Sequence, residues 1–491
     1  MFPRTVSAAA VAPPDPTPDL PGSGPIRRAE ARAADRLEPG VHAAPLSAVA
    51  SRPPSDPVSL AGLAACVGDA RAAALSPADG PPDPATFAAL RARLEKARAK
   101  LPPEYQRAVV DPLLRTLDGL GPRGFARVLA EDPEREGDAA LLLDVAQAVL
   151  QHGEGYQARA TSAFQEVVSD LYEGFLSAED RRGVKPPDRG VLPPLVRWGS
   201  AEDGPYTWSA TATASLEVGA PIVSLPAANA SGGLLAWPAL AHETAGHDIL
   251  EADDGLRDEL AGAVRDGLLA ERMDPSLADY WADRIDETAA DVLGVLNMGP
   301  AAAVGLVGYF RALNGAWNGT PSLRNVGSPE DPHPADIARA YLAAETVRLL
   351  SFKGAARWAD RLVAEADRDL GRIRLGDLAV TAGVAKASAA VVARAIVRTR
   401  LGALEGRALG DIQDWRDADE AIVADLRRAL KEGEGSGGAG RYAEGAYAAH
   451  AVAAGVYEAV AGTSDPAKAM SGMIGVLAEM SAATSRGDLA A

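Results

Sequence analysis

Apolar residues in this chain recur at three- and four-residue steps over most of its length, with one interruption near the middle. Phe87, Leu90, Leu94, Ala97 and Leu101 mark one helical face, and Pro102-Pro103 ends it. Leu141 to Leu150, and then Phe164, Val167, Val168, Leu171, Tyr172 and Phe175, keep the same period. A helical unit is predicted over 85–178. Between Tyr206 and Val218 the period falls to two. Tyr206, Trp208, Ala210, Ala212, Ala214, Leu216 and Val218 alternate with Thr207, Ser209, Thr211, Thr213, Ser215 and Glu217. That pattern predicts a strand, turned at Gly219-Ala220-Pro221 into a second strand over Ile222 to Leu225. An antiparallel hairpin or small sheet is therefore expected, followed by a loop and then by helical sequence for almost all of the remainder. The fold class is mainly α, with a β-hairpin preceding a helical core.

The first 84 residues change the picture at the N-terminus. They are rich in Pro, Ala and Asp and hold few large apolar residues, so they cannot bury enough surface to offset their ordering entropy. Most of this segment is expected to be a disordered arm, with a short helix near Leu60 to Ala74. The remaining divisions fall at a helical domain over 85–190, a core with the hairpin over 191–355, and a C-terminal helical domain over 356–491. The Gly-rich run GEGSGGAG at 433–440 separates the last helices from the rest, and no internal repeat is present.

Composition narrows the functional classes. The chain has 491 residues, 49 Lys and Arg against 67 Asp and Glu, a net charge of −18, and 5% aromatic residues. An acidic surface argues against nucleic acid and anionic membranes as partners. One cysteine, Cys66, excludes an internal disulfide framework. The N-terminus lacks an apolar stretch long enough for a secretory core, so a cytoplasmic location is expected. Val292 to Phe310 carries no charge and approaches a membrane span in length. Asn297, Gly299-Pro300, Gly305 and Gly308 interrupt it, however. Two buried helices with a break between them are predicted instead.

The chemistry concentrates in AHETAGHDIL, which holds two of the six histidines. His242 and His247 with Glu243 between them form a His-Glu arrangement on a helix. Imidazoles of this kind bind a metal, and the glutamate takes a proton from the water that the metal activates. The spacing is five rather than four. Residues five apart point about 140° apart on a regular helix, so the two imidazoles can share an ion only across a π-bulge, near Thr244 to Gly246. A catalytic zinc site needs a third protein ligand and an open position. Forty residues on, DRIDETAADVLG offers Glu287, with Asp291 four residues later on the same face and Asp286 as the competing carboxylate. Asp291 would accept a hydrogen bond from a ligand imidazole and so orient it. His333, with Tyr309, Tyr341 and Arg339, is a candidate to stabilise the oxyanion formed when water attacks a carbonyl.

HETAGH resembles the HExxGH form that marks the dipeptidyl peptidase III family of zinc peptidases. DETAAD resembles that family's second motif, and Glu287-Thr-Ala-Ala-Asp291 fits the ExxxD element of gluzincins. The resemblance covers about 220–345. It implies that His242, His247 and Glu287 hold Zn2+, that Glu243 is the general base, and that Asp291 orients a ligand. It also implies that Ile222 to Leu225 is an edge strand pairing with an extended peptide. A metallopeptidase acting on peptides or proteins is the leading expectation. A zinc hydrolase of non-peptide amides, or a helical scaffold with structural zinc, are the other two.

Overall fold

A computed structural model describes residues 57–84, 86–177, 181, 183–189, 192–432 and 446–490. The first 56 residues of the arm expected over 1–84 and the Gly-rich break at 433–440 lie outside these residues. The fold is mainly α with two small three-stranded sheets. Helices Phe87–Arg98, Asp138–Glu154 and Ala158–Leu176 cover the first three periodic runs. Thr86 caps the first of them by accepting from the Ala89 amide at 3.2 Å. Helix Asp111–Glu131 also forms there, across a break at Gly121.

Helix α1 (Leu63–Ala74) is an integral part of the folded body, with Cys66 and Ala70 buried. The larger hydrophobic core draws on residues from Leu63 to Met480, across the boundaries expected at 84, 190 and 355. A smaller core spans Leu90 to Ile222. Helix Ala158–Leu176 belongs to the larger core and helix Asp138–Glu154 to the smaller, so the expected helical unit over 85–190 is divided between them. Ala-rich helices approach one another closely, and their apolar faces merge into shared cores.

The sheet beside the site contains strands β1 (Leu195–Gly199), β2 (Tyr206–Trp208) and β3 (Ile222–Pro226), in the order β1-β3-β2. Strand β2 pairs antiparallel with β3, with Thr207 opposite Val223, whereas β1 pairs with β3 in parallel. The alternating run does not continue as a strand beyond Trp208. Ser209 accepts from the Ala212 amide and caps a short helix, Ala210–Ala214. Its alanines favour the helix once Ser209 has started it. Strand β3 therefore lies at the centre of the sheet with both edges taken, and β1 and β2 are the outer strands.

The second half is helical. The metal-site segment is α2 (Ala239–His242), continued by a π-helix over Glu243–Asp248. Helix α3 (Ile285–Met298) and helix α4 (Pro300–Trp317) are the two buried helices predicted for the uncharged run. They are broken at Gly299, whose φ of 61° is readily reached only by glycine. Helix α5 (Asp336–Leu349) packs against both. Among the described residues, no helix is long and apolar enough to cross a membrane.

Candidate metal centre

Three elements carry the site: α2 with its π-helical continuation, α3, and the segment from Asp331 to Arg339 that leads into α5. The π-helix supplies the one extra residue per turn that five-residue spacing requires. The His242 and His247 rings accordingly lie side by side and nearly perpendicular, with centroids 5.5 Å apart. Donor atoms of His242, His247 and Glu287 all lie within 4.8 Å of one another, so this group could hold a metal ion. Glu287 Oε2 is 3.4 Å from His242 Nε2, and Glu287 Oε1 is 3.9 Å from His247 Nε2. Asp286, the competing carboxylate, instead pairs with Arg257 at 3.2 Å and is partly exposed.

The position of α3 depends on a close backbone approach. A Cβ added to Gly294 would lie 3.3 Å from both the carbonyl carbon of Ala241 and the amide nitrogen of His242. Glycine thus lets α3 run directly against the metal helix, which brings Glu287 and Asp291 to the imidazoles. Asp291 Oδ1 accepts from His242 Nδ1 at 2.9 Å, which fixes the ring and leaves Nε2 toward Glu287.

Arg339 is buried behind these ligands. Its Nε donates to Asp291 Oδ2 at 2.7 Å and a terminal nitrogen donates to Asp291 Oδ1 at 2.8 Å; Glu287 Oε2 is 3.5 Å away. The oxyanion role expected of Arg339 does not suit this geometry, because its donors are committed to a ligand-orienting carboxylate. Its guanidinium also lies over the Phe310 ring at 4.7 Å. Tyr341 is likewise corrected: its hydroxyl donates to Asp367, and the residue does not line the site cavity.

Electrostatics follow from this packing. Burial works against the charged form of Glu287, but His333, His242 and Arg339 hold its carboxyl well below the ordinary range. Asp291 is lowered chiefly by Arg339, against its own burial. Burial alone would depress His242, yet the Asp291 and Glu287 carboxylates raise its imidazole to about 10. A cation bound there would displace that proton. Despite these neighbours, Glu287 Oε2 has no hydrogen-bond partner and is buried. Its nearest cations, His242 at 3.4 Å and Arg339 at 3.5 Å, make no hydrogen bond to it, so a bound cation would compensate its charge further. Two imidazoles and one carboxylate with this unfilled oxygen fit a metal ion.

Glu243, Tyr309 and His333 line one cavity with His242. The Thr207 hydroxyl on β2 lies 3.0 Å from Glu243 Oε2 and 3.2 Å from its main-chain oxygen, within donating distance of both. Thr207 was not singled out by sequence reasoning; only its place in the alternating run set it on the polar face. His333 Nδ1 donates to Asp331 Oδ1 at 3.0 Å, and its Nε2 lies 3.5 Å from Glu287 Oε1. Tyr309 is buried, and burial followed by the Glu243 charge holds its phenol above the usual range. His152 and His450 lie in other parts of the structure, and His42 is outside the described residues. Comparison with protein-family models, curated proteins and solved structures finds no match for this chain.

Proposed function

We propose that this chain is a zinc-dependent hydrolase that cleaves peptide bonds by Glu243-assisted attack of water. The observation that carries this reading is the His242, His247 and Glu287 group, with a Glu287 oxygen that lacks a hydrogen-bond partner, beside a cavity lined by His242 and Glu243. Three protein ligands of the His/His/Glu type suit a catalytic zinc, which keeps a position open, whereas calcium and magnesium favour all-oxygen sets. Bound zinc supplies Lewis acidity to water and to the carbonyl under attack.

The protein's own groups do the rest. Asp291 and Arg339 hold His242 in one orientation, and Gly294 keeps their helix close. Glu243, held by Thr207, accepts the proton of the attacking water and hands it to the leaving nitrogen. In this reading the Tyr309 hydroxyl, and His333 Nε2 when both ring nitrogens carry protons, donate to the oxyanion that develops on the carbonyl. Outer strand β2 presents backbone groups beside Glu243, where an extended peptide could pair as a further strand. This assigns to β2 the part that the resemblance implied for Ile222 to Leu225.

The test is Glu243→Gln, which preserves shape and removes the base. Metal analysis after dialysis should find about one zinc per chain in both proteins. Peptide hydrolysis should fall by about 10²- to 10⁴-fold in the variant. Undiminished turnover, or wild-type protein without zinc, would overturn the reading.

A further inference from the structure

The cavity beside the metal centre extends well past the groups that the chemistry uses. It encloses about 150 Å³. Away from the histidines its wall is formed by Val295 on α3 and by Ala302, Leu306, Phe310, Leu313 and Trp317 on α4. The α4 positions are separated by steps of four, four, three and four, so they form one helical face. Part of the rest of α4 packs on α1 and α5. Leu306, Phe310 and Leu313 are only half-buried, and Trp317 is 43% exposed. Among the described residues, this apolar stripe is thus left incompletely covered. From Leu306 to Trp317 the helix rises roughly 16 Å, enough for more than one side chain of a bound ligand.

Charge sharpens the argument. The cavity's two arginines are both engaged. Arg324 pairs with Asp331 at 2.9 Å and with Asp336 at 2.8 Å, and Arg339 is held by Asp291. Asp331 and Asp336 are correspondingly engaged by Arg324. A charged substrate group seated on the α4 stripe, away from Glu243, would give up water while the cavity's arginines, Asp331 and Asp336 stay engaged with one another or with Asp291. An apolar group would gain from burial against the stripe.

We propose, on the basis of the peptidase reading, that the α4 stripe seats substrate residues flanking the cleaved bond. The substrate class is then peptides with bulky, uncharged apolar side chains, such as Phe or Leu, at those positions. Leu306 and Leu313 act as specificity determinants and take no part in the chemistry.

The test separates binding from turnover. Full-length Glu243→Gln protein, loaded with zinc, is titrated calorimetrically with three blocked hexapeptides whose central pairs are Phe-Leu, Ala-Ala and Asp-Lys. The Phe-Leu peptide should bind about 10- to 100-fold more tightly than the other two. Adding Leu306→Trp, which fills part of the cavity, should weaken Phe-Leu binding more than Ala-Ala binding and so narrow that preference. Leu313→Glu serves as a second, independent probe should the tryptophan disturb folding. Equal affinity for the three peptides, or an unchanged preference in a folded variant, overturns the proposal. Wild-type turnover is read separately. An apolar preference in binding without cleavage supports the stripe and refutes the hydrolase reading. Indiscriminate cleavage of all three peptides refutes the stripe and leaves the hydrolase reading intact.

Discussion

Replacing Arg339 with methionine would remove a buried cation while keeping much of the side chain's volume. Arg339 is 4% exposed, and it donates to both carboxylate oxygens of Asp291 with Glu287 within 3.5 Å. Asp291 and Glu287 are themselves only 2% and 4% exposed. Without the guanidinium, two buried carboxylates keep only histidine neighbours. Removing one partner from a buried ion pair typically costs about 3–5 kcal/mol, and the metal-free variant should lose stability on that scale. Zinc at Glu287 restores positive charge to the same carboxylate, so the loaded variant should lose less. By linkage, the difference between the two losses equals the variant's gain in zinc affinity over wild type. Each 1.4 kcal/mol of that difference corresponds to about tenfold. The assay is urea unfolding of both proteins at pH 7.5, with chelator and with a fixed excess of zinc. Equal losses in the two conditions would refute the charge argument. A larger loss with zinc would show that Arg339 matters chiefly for placing the ligands.

Two further outcomes follow from other contacts. Thr207→Val removes the hydroxyl within reach of Glu243; turnover should fall by about 10- to 100-fold, the worth of a hydrogen bond to a charged group, with zinc content and KM unchanged, and Thr207→Ser should restore it. A valine variant with full turnover, or a serine variant no better than valine, would remove Thr207 from the mechanism. Glu420 is buried and accepts from Trp415 Nε1, and burial raises its carboxyl to about 7 from an ordinary 4.5. A carboxyl raised in the folded state contributes stability that is fully present below about pH 4.5 and is lost as pH rises through about 7. Glu420→Gln should therefore match wild type near pH 3.5 and exceed it by up to about 3 kcal/mol at pH 8. A stability difference that stays flat across this range in chemical unfolding would refute that account.

The parts of the site that were legible in the sequence are those whose geometry is local. His242 and His247 declare an imidazole pair because they lie on one helical segment, and the fifth residue between them requires the π-turn that forms over Glu243–Asp248. Glu287 and Asp291 share a face of α3 because they are four residues apart. The mainly α class was likewise legible, since three- and four-residue steps persist through so much of the chain. The reading failed where a local device or a distant partner decided the outcome. Ser209 ended the strand that the alternation extended to Val218. Strand β3 became central because Leu195–Gly199, hidden behind Pro193-Pro194 and carrying Arg197, pairs along its other edge. A buried arginine looks like a surface residue until its partners Asp144 and Tyr206 are known.

Gly294 shows the same limit at the centre of the site. In the sequence it is a glycine within a helical period, which by itself suggests a weak point in the helix. In the structure α3 runs through it without a break, and its missing side chain leaves room for the backbone of Ala241 and His242. That contact joins segments about fifty residues apart and sets how near Glu287 stands to the two imidazoles. The same crossing places the start of α4 beside Pro238, so the apolar stripe opens next to Glu243 and not elsewhere on the surface. The identity of the candidate ligands is thus written in residue spacing, whereas the approach that makes them converge, and gives them a neighbouring apolar wall, depends on the absence of a Cβ.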